Sequence, residues 1–278
     1  VITNIGQCHL ENLGSREGIL KAKTEIFKSM NPDGYVFLNG EDDLLATVKK
    51  PWKNEIIRFG MSKKDAIYAT DVVNKGLLGS EAVIHVADTQ FPVKVPLPGI
   101  HMVLNALAAT AVGWQLGLTT EQIAKGIAQV QAGAGRSHVI ETPEYILIDD
   151  CYNANPVSMK AAIDLLGTAL QRKVAVLGDM FELGKDEAIL HAQIGEYAMT
   201  HGVDVLICIG ELSKNMYERA VETLSGKEHG SREIYYFPTR EEAMIQLPHI
   251  LHTGDAVLIK ASHSMKFEEI VEQSTGRI

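Results

Sequence analysis

The chain has 278 residues, of which 46% are hydrophobic, 22% charged and 6% aromatic, a balance that excludes disordered and fibrous proteins and, at this length, predicts two globular domains. The net charge of −9 argues against a nucleic-acid partner, and no apolar run of membrane length and no signal peptide is found, so we expect no membrane insertion. Three widely spaced cysteines without a CxxC pair favour a reducing, cytoplasmic location.

The first 135 residues are predicted to form a mixed α/β domain. The chain begins with Val1 and not with Met, and residues 1–5 are predicted to form an apolar strand. We therefore expect the N-terminus to lie inside a domain. Ser15 is predicted to cap a helix that ends near Met30. The remaining elements are strands at Tyr35–Asn39, Glu55–Phe59, Glu81–Ala87 and Phe91–Val95, the last two as a hairpin, and helices over Met102–Leu116 and from Thr119 to Val130.

Residues 136–278 are predicted to form a Rossmann-like, doubly wound domain. Apolar strands alternate with helical stretches, which predicts a mostly parallel sheet covered on both faces. The Gly-rich stretch 131–135 is predicted to be a hinge, with the domain boundary just before Arg136. The strands are Tyr145–Asp150, Lys173–Gly178, Val205–Gly210, Ile234–Phe237 and Ala256–Lys260, with helices from about Pro156, Glu187, Leu212, Thr239 and Ser264.

Hydrogen-bonding or charged groups follow four of the five strands in the second half. Because ligands bind beyond the carboxyl ends of parallel strands, this pattern favours a ligand-binding edge. The alternative is that these residues only form turns and helix caps, which explains Asn155 well because it precedes Pro156. The residues are Asp149, Asp150, Tyr152, Asn153, Asn155, Gly178, Asp179, Glu182, Gly210, Lys260, Ser262 and His263.

The first half offers four polar residues that pattern alone leaves undecided. His9 follows the opening strand and Lys23 lies in the first helix. By pattern alone, His9 is more often a structural or solvent-exposed residue than a metal ligand, and Lys23 is an ordinary surface lysine. His101 and Asn105 are four residues apart, so they share one face of a predicted helix. Neither a GxxxxGK[ST] phosphate-binding loop nor a GxGxxG motif occurs in the sequence.

Several segments taken together resemble the Mur ligase family. The first two resemble its central ATPase domain and the third its adenine-contacting helix, whereas the rest are similar to the C-terminal domain of the branch that adds D-Ala-D-Ala. The segments are Thr3–Ser15, Lys21–Phe27, Pro98–Ala109, Ile148–Met159 (Ile-Asp-Asp-Cys-Tyr-Asn-Ala-Asn-Pro-Val-Ser-Met), Leu177–Gly184 (Leu-Gly-Asp-Met-Phe-Glu-Leu-Gly) and Lys260–Lys266.

The resemblance implies an ATP-dependent amide ligase of peptidoglycan precursor synthesis. ATP phosphorylates the terminal carboxylate of UDP-N-acetylmuramoyl-tripeptide, and the amine of D-Ala-D-Ala then attacks the acyl phosphate. ATP and Mg²⁺ are the implied cofactors. The resemblance also implies that His9 holds magnesium and that Lys23 carries a carbamate, whose two oxygens suit the same ion.

The nucleotide and the dipeptide have implied contacts on both halves of the chain. Asn105, with His101 on the same helix, corresponds to the adenine contact, Arg136 to a phosphate contact and Asp150 to a ribose contact. We therefore expect ATP to bridge the two domains. The residues expected to line the dipeptide pocket are Asn153, Asn155, Lys260 and Ser262.

The sequence departs from the family pattern in two ways. Met102 stands where the family helix often has an Asn, so one adenine or ribose contact is expected to be lost or replaced. The phosphate-binding loop and the UDP-sugar domain would lie before Val1, so we expect this chain to be an inactive part of a monomeric parent. An exposed sheet edge would then make it unstable or self-associating. Two alternatives remain, a non-catalytic nucleotide- or dipeptide-binding fragment and a Mur-type ligase for another amino acid.

Overall fold

The computed structural model describes residues 1–6, 13–31, 33–49, 55–225 and 232–276. Two compact units are present, Val1–Gln131 (unit 1) and Ala132–Ile278 (unit 2). Within the described ranges, no helix is both long enough and apolar enough to cross a bilayer.

The described part of unit 1 contains a five-stranded sheet with strands in sequence order. The first three strands are parallel, and the last two continue the sheet as an antiparallel hairpin, which confirms the predicted hairpin. The strands are β1 (Val36–Asn39), β2 (Ile56–Gly60), β3 (Ile67–Asn74), β4 (Ser80–Val86) and β5 (Thr89–Val95). The helices are α1 (Arg16–Thr24), α2 (Asp43–Thr47), α3 (His101–Gln115) and α4 (Thr120–Ala128).

Alternating side chains of β1 divide the core of unit 1 between two faces. Phe37 points into a cluster with Phe59 and with Leu107 of α3. Its neighbour Leu38 belongs to a second cluster that includes Ile19 of α1. This alternation is what a strand requires when both faces of its sheet are covered. The predicted capping box that begins α4 is confirmed, with Thr119 and Gln122 bonded reciprocally.

Three features of unit 1 differ from the sequence predictions. The strand β3 was missed because its alternation is interrupted at Asp71, where φ is +52° and the register with β4 shifts. The predicted helix to Met30 was wrong beyond Thr24, where the Thr hydroxyl bonds a backbone carbonyl one turn earlier and a 3₁₀ turn follows. The predicted strand at 1–5 is reduced to one bridge, between Ile2 and Leu38.

The described part of unit 2 contains a six-stranded sheet with the order β10-β9-β8-β11-β7-β6. All strand pairs are parallel except β6 with β7, so the predicted doubly wound fold is confirmed. The strands are β6 (His138–Glu141), β7 (Tyr145–Asp149), β8 (Lys173–Gly178), β9 (Val205–Ile209), β10 (Glu233–Phe237) and β11 (Asp255–Lys260). The helices are α5 (Pro156–Gly167), α6 (Glu187–Thr200), α7 (Ser213–Leu224), α8 (Arg240–Ile250) and α9 (Glu268–Ser274).

Helices cover both faces of this sheet, as predicted. The helices α8 and α9 pack on one face in a cluster that includes Leu247 and Phe267, and α5 and α7 contact the sheet outside that cluster. The short edge strand β6 was not predicted, because only two apolar residues separate His138 from Glu141. The last helix begins later than predicted, since Lys266 has φ of +53° and interrupts the helical path after a 3₁₀ turn.

Candidate functional site

The carboxyl ends of β7 and β11 bring a buried ion pair to the edge of the unit 2 sheet. These strands are parallel neighbours, so Asp150 and Lys260 follow paired positions. The Lys260 Nζ lies 2.6 Å from Asp150 Oδ2 and 2.8 Å from the carbonyl oxygen of Asn153. The side chains of Lys260 and Asp150 are only 3% and 14% exposed. A charge this deep needs such partners, so the ammonium of Lys260 is used within the protein.

The two aspartates after β7 fasten the segment that leads into β6. Asp149 Oδ2 accepts a hydrogen bond from the Gly135 amide at 3.0 Å, and Asp150 Oδ1 accepts one from the Ser137 amide at 2.7 Å. The Tyr152 amide returns a bond to the Gly135 carbonyl at 2.9 Å. Gly135 has φ of +69°, and a Cβ there would lie 2.8 Å from the Tyr152 nitrogen, so this turn requires glycine.

An exposed arginine stands on this fastened segment. Arg136 lies between Gly135 and Ser137, and its guanidinium carbon is 3.8 Å from the centre of the Tyr152 ring. The ring of His263, from the turn after β11, lies 5.8 Å from the same tyrosine ring. The edge therefore presents a stacked cation and two aromatic rings to solvent, an arrangement suited to an anionic ligand with a flat group.

The end of β8 is polar but serves the fold. Asp179 is 4% exposed, and its Oδ1 accepts bonds from both the amide and the hydroxyl of Ser213 at 2.7 Å, at the start of α7. Gly210 passes so close that a Cβ would lie 2.5 Å from the Asp179 carboxylate. His191 Nε2 accepts a bond from the Met180 amide at 2.9 Å, and burial lowers the pKa of this histidine, which keeps it a neutral acceptor.

Besides Lys260, two of the residues expected in the dipeptide pocket have partners within the protein. Asn155 caps α5 by accepting from the Ser158 amide at 2.9 Å, which confirms the capping alternative for this residue. Ser262 is 4% exposed, and its hydroxyl accepts from the Phe181 amide at 2.9 Å. Asn153 has an exposed side chain beside the ion pair, and its Oδ1 accepts a hydrogen bond from the Ala154 amide at 2.9 Å.

The described site residues of unit 1 lie on two helices, α1 and α3. Lys23 is exposed, and its Nζ donates to the Asn4 carbonyl at 3.0 Å. His101 and Asn105 are both exposed in the first turns of α3, and the Asn105 amide donates to the Met102 sulfur at 3.4 Å. His9 lies outside the described residues.

The described ranges contain no group of three or more His, Cys, Asp or Glu side chains arranged to hold a metal ion. Lys23 as an unmodified amine offers no oxygen ligand, so it does not fit Mg²⁺ in that form. The implied carbamate would supply two oxygens at this position.

Sequence reasoning missed two contributors to the edge of unit 2. Tyr152 was recognised as a polar residue after a strand, but its stacking on Arg136 was not expected. Ser137 was not considered, although its amide and hydroxyl both bond Asp150. Its φ of +50° is the structural sign of this role, and the preceding Gly-rich stretch is the signal that the sequence offered.

Comparison with known families places the chain among the Mur ligases. The Mur ligase middle domain matches residues 1–113, and the Mur ligase, glutamate ligase domain matches residues 135–263. The chain belongs to the Mur ligase family.

Similar proteins narrow the comparison within the family. The chain is 33% identical to a UDP-N-acetylmuramoyl-tripeptide–D-alanyl-D-alanine ligase of Bacillus subtilis and 32% identical to one of Escherichia coli. In both comparisons the match covers 98% of this chain but only 58% of the relative.

Solved structures give the same result. A crystal structure of MurF from Acinetobacter baumannii matches with a TM-score of 0.87 and 29% identity, over 99% of this chain and 59% of that one. MurF ligase from Thermotoga maritima in complex with ADP matches with a TM-score of 0.81 and 25% identity, over 98% of this chain and 60% of that one.

Proposed function

We propose that this chain is part of an ATP-dependent ligase that adds D-Ala-D-Ala to UDP-N-acetylmuramoyl-tripeptide in peptidoglycan precursor synthesis. Relatives that carry this name match 98% of the chain, although it spans only 58% of their length. The observation that carries the proposal is the edge of unit 2, where the carboxylate of Asp150 fastens the segment that carries the exposed Arg136.

The nucleotide has a natural orientation on this edge. The guanidinium of Arg136 is exposed and charged, which suits the phosphate oxygens of ATP. The Asp150 carboxylate accepts three hydrogen bonds, two from Ser137 and one from Lys260, so one acceptor position is left for a ribose hydroxyl. The similar structure of MurF ligase from Thermotoga maritima is a complex with ADP, which supports a nucleotide as the ligand.

The adenine base would meet residues of unit 1. Asn105 and His101 are exposed on one face of α3, and an amide and an imidazole supply the donor and acceptor groups that a base edge requires. The Asn105 amide already contacts the Met102 sulfur. We propose that this sulfur takes the place of the polar partner that the family helix often provides.

The reaction that we propose joins a carboxylate to an amine at the expense of ATP. The terminal carboxylate of the tripeptide attacks the γ-phosphorus, ADP leaves, and the amine of D-Ala-D-Ala displaces phosphate from the acyl phosphate. Arg136 would stabilise the charge that spreads over the phosphoryl oxygens. Asn153 is the exposed candidate for the dipeptide, whereas Lys260 acts by holding Asp150 and the Asn153 carbonyl.

A magnesium ion would accompany ATP and neutralise its phosphate oxygens. We propose a carbamate on Lys23 and the imidazole of His9 as its protein ligands. Lys23→Ala is expected to lower ligase activity in the full-length protein by at least about 100-fold, the scale on which loss of an electrostatic contact acts. Lys21→Ala, on the same helix, is the matched control and should keep activity. Equal activities of the two variants would exclude this role for Lys23.

The direct test is phosphate release by the full-length protein. Release is expected only when the tripeptide nucleotide and D-Ala-D-Ala are both supplied with ATP and magnesium. Release that depends on a different amino acid would refute the dipeptide assignment and support the second candidate, a Mur-type ligase of other specificity. The same proposal includes a cytoplasmic location, since ATP and the nucleotide-linked substrate are made inside the cell, and a monomeric full-length enzyme.

A non-catalytic role for this chain on its own is the remaining candidate. The 278 residues contain no GxxxxGK[ST] loop, so we expect them to bind nucleotide without consuming it. Titration calorimetry with ADP, paired with Asp150→Ala, measures this binding directly. ATP consumption by the 278-residue chain would exclude the non-catalytic candidate.

A further inference from the structure

We propose that Tyr152 is a positioning residue, whose ring holds the guanidinium of Arg136 in the orientation that meets the nucleotide phosphates. This inference rests on the proposed function of Arg136 as a phosphate contact. Nothing in the sequence pattern assigns a role to the tyrosine ring. Its position relative to Arg136 does, because the guanidinium carbon lies 3.8 Å from the ring centre.

The arginine needs such a partner. Its side chain is exposed, and in the described part of the chain no carboxylate pairs with it. An exposed arginine without a partner populates many rotamers, and a ligand that binds one of them must first order the side chain. A cation stacked on an aromatic face is already ordered, and it keeps its edge donors free for phosphate oxygens.

The backbone that carries the Tyr152 ring is fixed by hydrogen bonds, and a second ring lies close to it. The Tyr152 amide donates to the Gly135 carbonyl at 2.9 Å. The backbone of Tyr152 is therefore bonded to the residue that directly precedes Arg136. Asp149 fastens Gly135 from the other side through the Gly135 amide at 3.0 Å. The His263 ring lies 5.8 Å from the tyrosine ring, on the turn after β11. The backbones that carry the two stacked side chains are therefore tied together.

The tyrosine hydroxyl is not required for this role. Among the described residues it makes no hydrogen bond, and 49% of the residue is exposed. A phenylalanine therefore keeps everything that the proposal needs, whereas a leucine of similar bulk removes the π face. At this half-exposed position, we expect both variants to fold as the wild-type protein does.

The experiment measures ADP affinity of the full-length protein by titration calorimetry with magnesium. Tyr152→Leu is expected to weaken binding by about 2- to 30-fold, the range of a cation–π contact, and Tyr152→Phe to leave it within about twofold of wild type. The matched control is Tyr35→Leu, an equally exposed aromatic of unit 1 at 47%, which should change nothing. In ligase assays the loss should fall on KM for ATP.

The double variant separates positioning from general structural damage. In the Arg136→Ala background, Tyr152→Leu should have no further effect on ADP affinity, because the residue that it positions is gone. Equal weakening by Tyr152→Leu with and without Arg136 would overturn the proposal, and so would an unchanged affinity in Tyr152→Leu while Arg136→Ala binds weakly.

The failure of the proposed function looks different. If Arg136→Ala binds ADP as wild type does, the phosphate role of Arg136 is wrong, and the positioning role falls with it. A spectroscopic measurement tests the geometry without any ligand. In the folded protein the Arg136 side-chain protons should show an upfield ring-current shift that Tyr152→Phe retains and Tyr152→Leu abolishes. Absence of that shift in wild type would overturn the stacking itself.

Discussion

Substituting Lys260 with methionine is expected to destabilise unit 2 strongly. The Lys260 side chain is 3% exposed, and the Asp150 carboxylate that it neutralises is 14% exposed, with 2.6 Å between their charged atoms. Removing one partner of a buried ion pair costs about 3–5 kcal/mol, because the other charge stays buried without compensation. For a unit of this size that loss lowers Tm by roughly 6–20 °C.

The stability of unit 2 must be measured separately from that of unit 1. Hydrogen exchange of the β11 amides reports on unit 2, because this strand lies between β8 and β7 in the sheet. Both tryptophans, Trp52 and Trp114, precede Gln131 in the sequence, so intrinsic fluorescence reports on residues of unit 1. The variant should lose exchange protection in β11 while the tryptophan transition stays where it is in the wild-type protein.

A double variant then checks that the cause is the charge. Asp150→Asn removes the carboxylate that Lys260→Met leaves without a cation, so the double variant should be clearly more stable than the sum of the two single losses predicts. Additivity of the single losses to within about 0.5 kcal/mol would refute the ion-pair reasoning. A cost of Lys260→Met below about 1 kcal/mol would refute it as well, since that is the range of an exposed pair.

Three further predictions follow from local packing and burial. Gly195→Ala places a Cβ 2.0 Å from a backbone oxygen of α7 and should cost about 1–3 kcal/mol in urea unfolding, whereas Gly126→Ala, with nothing within 4 Å, should gain about 0.5–1 kcal/mol; equal effects would refute the packing argument. Burial raises the pKa of Asp65 above 3.8, so the contribution of this group to stability is lost as the pH rises through its pKa in the folded protein. Asp65→Asn should therefore be the more stable protein at neutral pH and lose that advantage below pH 3.8. A difference in stability between the two proteins that does not change with pH would contradict this. Burial also raises the pKa of the Cys151 and Cys208 thiols, so mass-spectrometric mapping should find both unlabelled by iodoacetamide in the folded protein, and rapid labelling of either would count against their burial.

The fold of unit 2 could be predicted from the sequence because its signals are local. Each strand is an apolar run between helices, and several helices begin with their own capping residues, as at Asn155 and Thr239. These signals act within a few residues, so a window of sequence contains them. The buried strands β8, β9 and β11 were therefore predicted within about one residue of their bounds.

The elements that were missed depend on contacts outside such a window. In β3 the left-handed residue Asp71 shifts the register, so the apolar alternation breaks even though pairing with β4 continues on both sides. The edge strand β6 has too few apolar residues to be predicted alone, and it exists because β7 offers it an antiparallel partner. Pairing partners supply what the local pattern lacks.

The candidate site shows the same limit more sharply. The sequence predicts a polar edge but not which polar groups remain available there, since that depends on partners far along the chain. Asp149 and Asp150 are adjacent and alike in sequence, and each accepts three hydrogen bonds. Asp149 is 6% exposed and accepts hydrogen bonds from the backbone amides of Gly135 and Cys151 and from the Cys151 thiol, so its role is structural.

Asp150 differs because its third donor is a cation that comes from another strand, 110 residues away. The Lys260 ammonium lies 2.6 Å from this carboxylate at a partly open position, where we propose that the remaining acceptor site meets a ligand. The difference between the buried Asp149 and the partly open Asp150 therefore depends on the pairing of β7 with β11, which brings Lys260 to the second carboxylate.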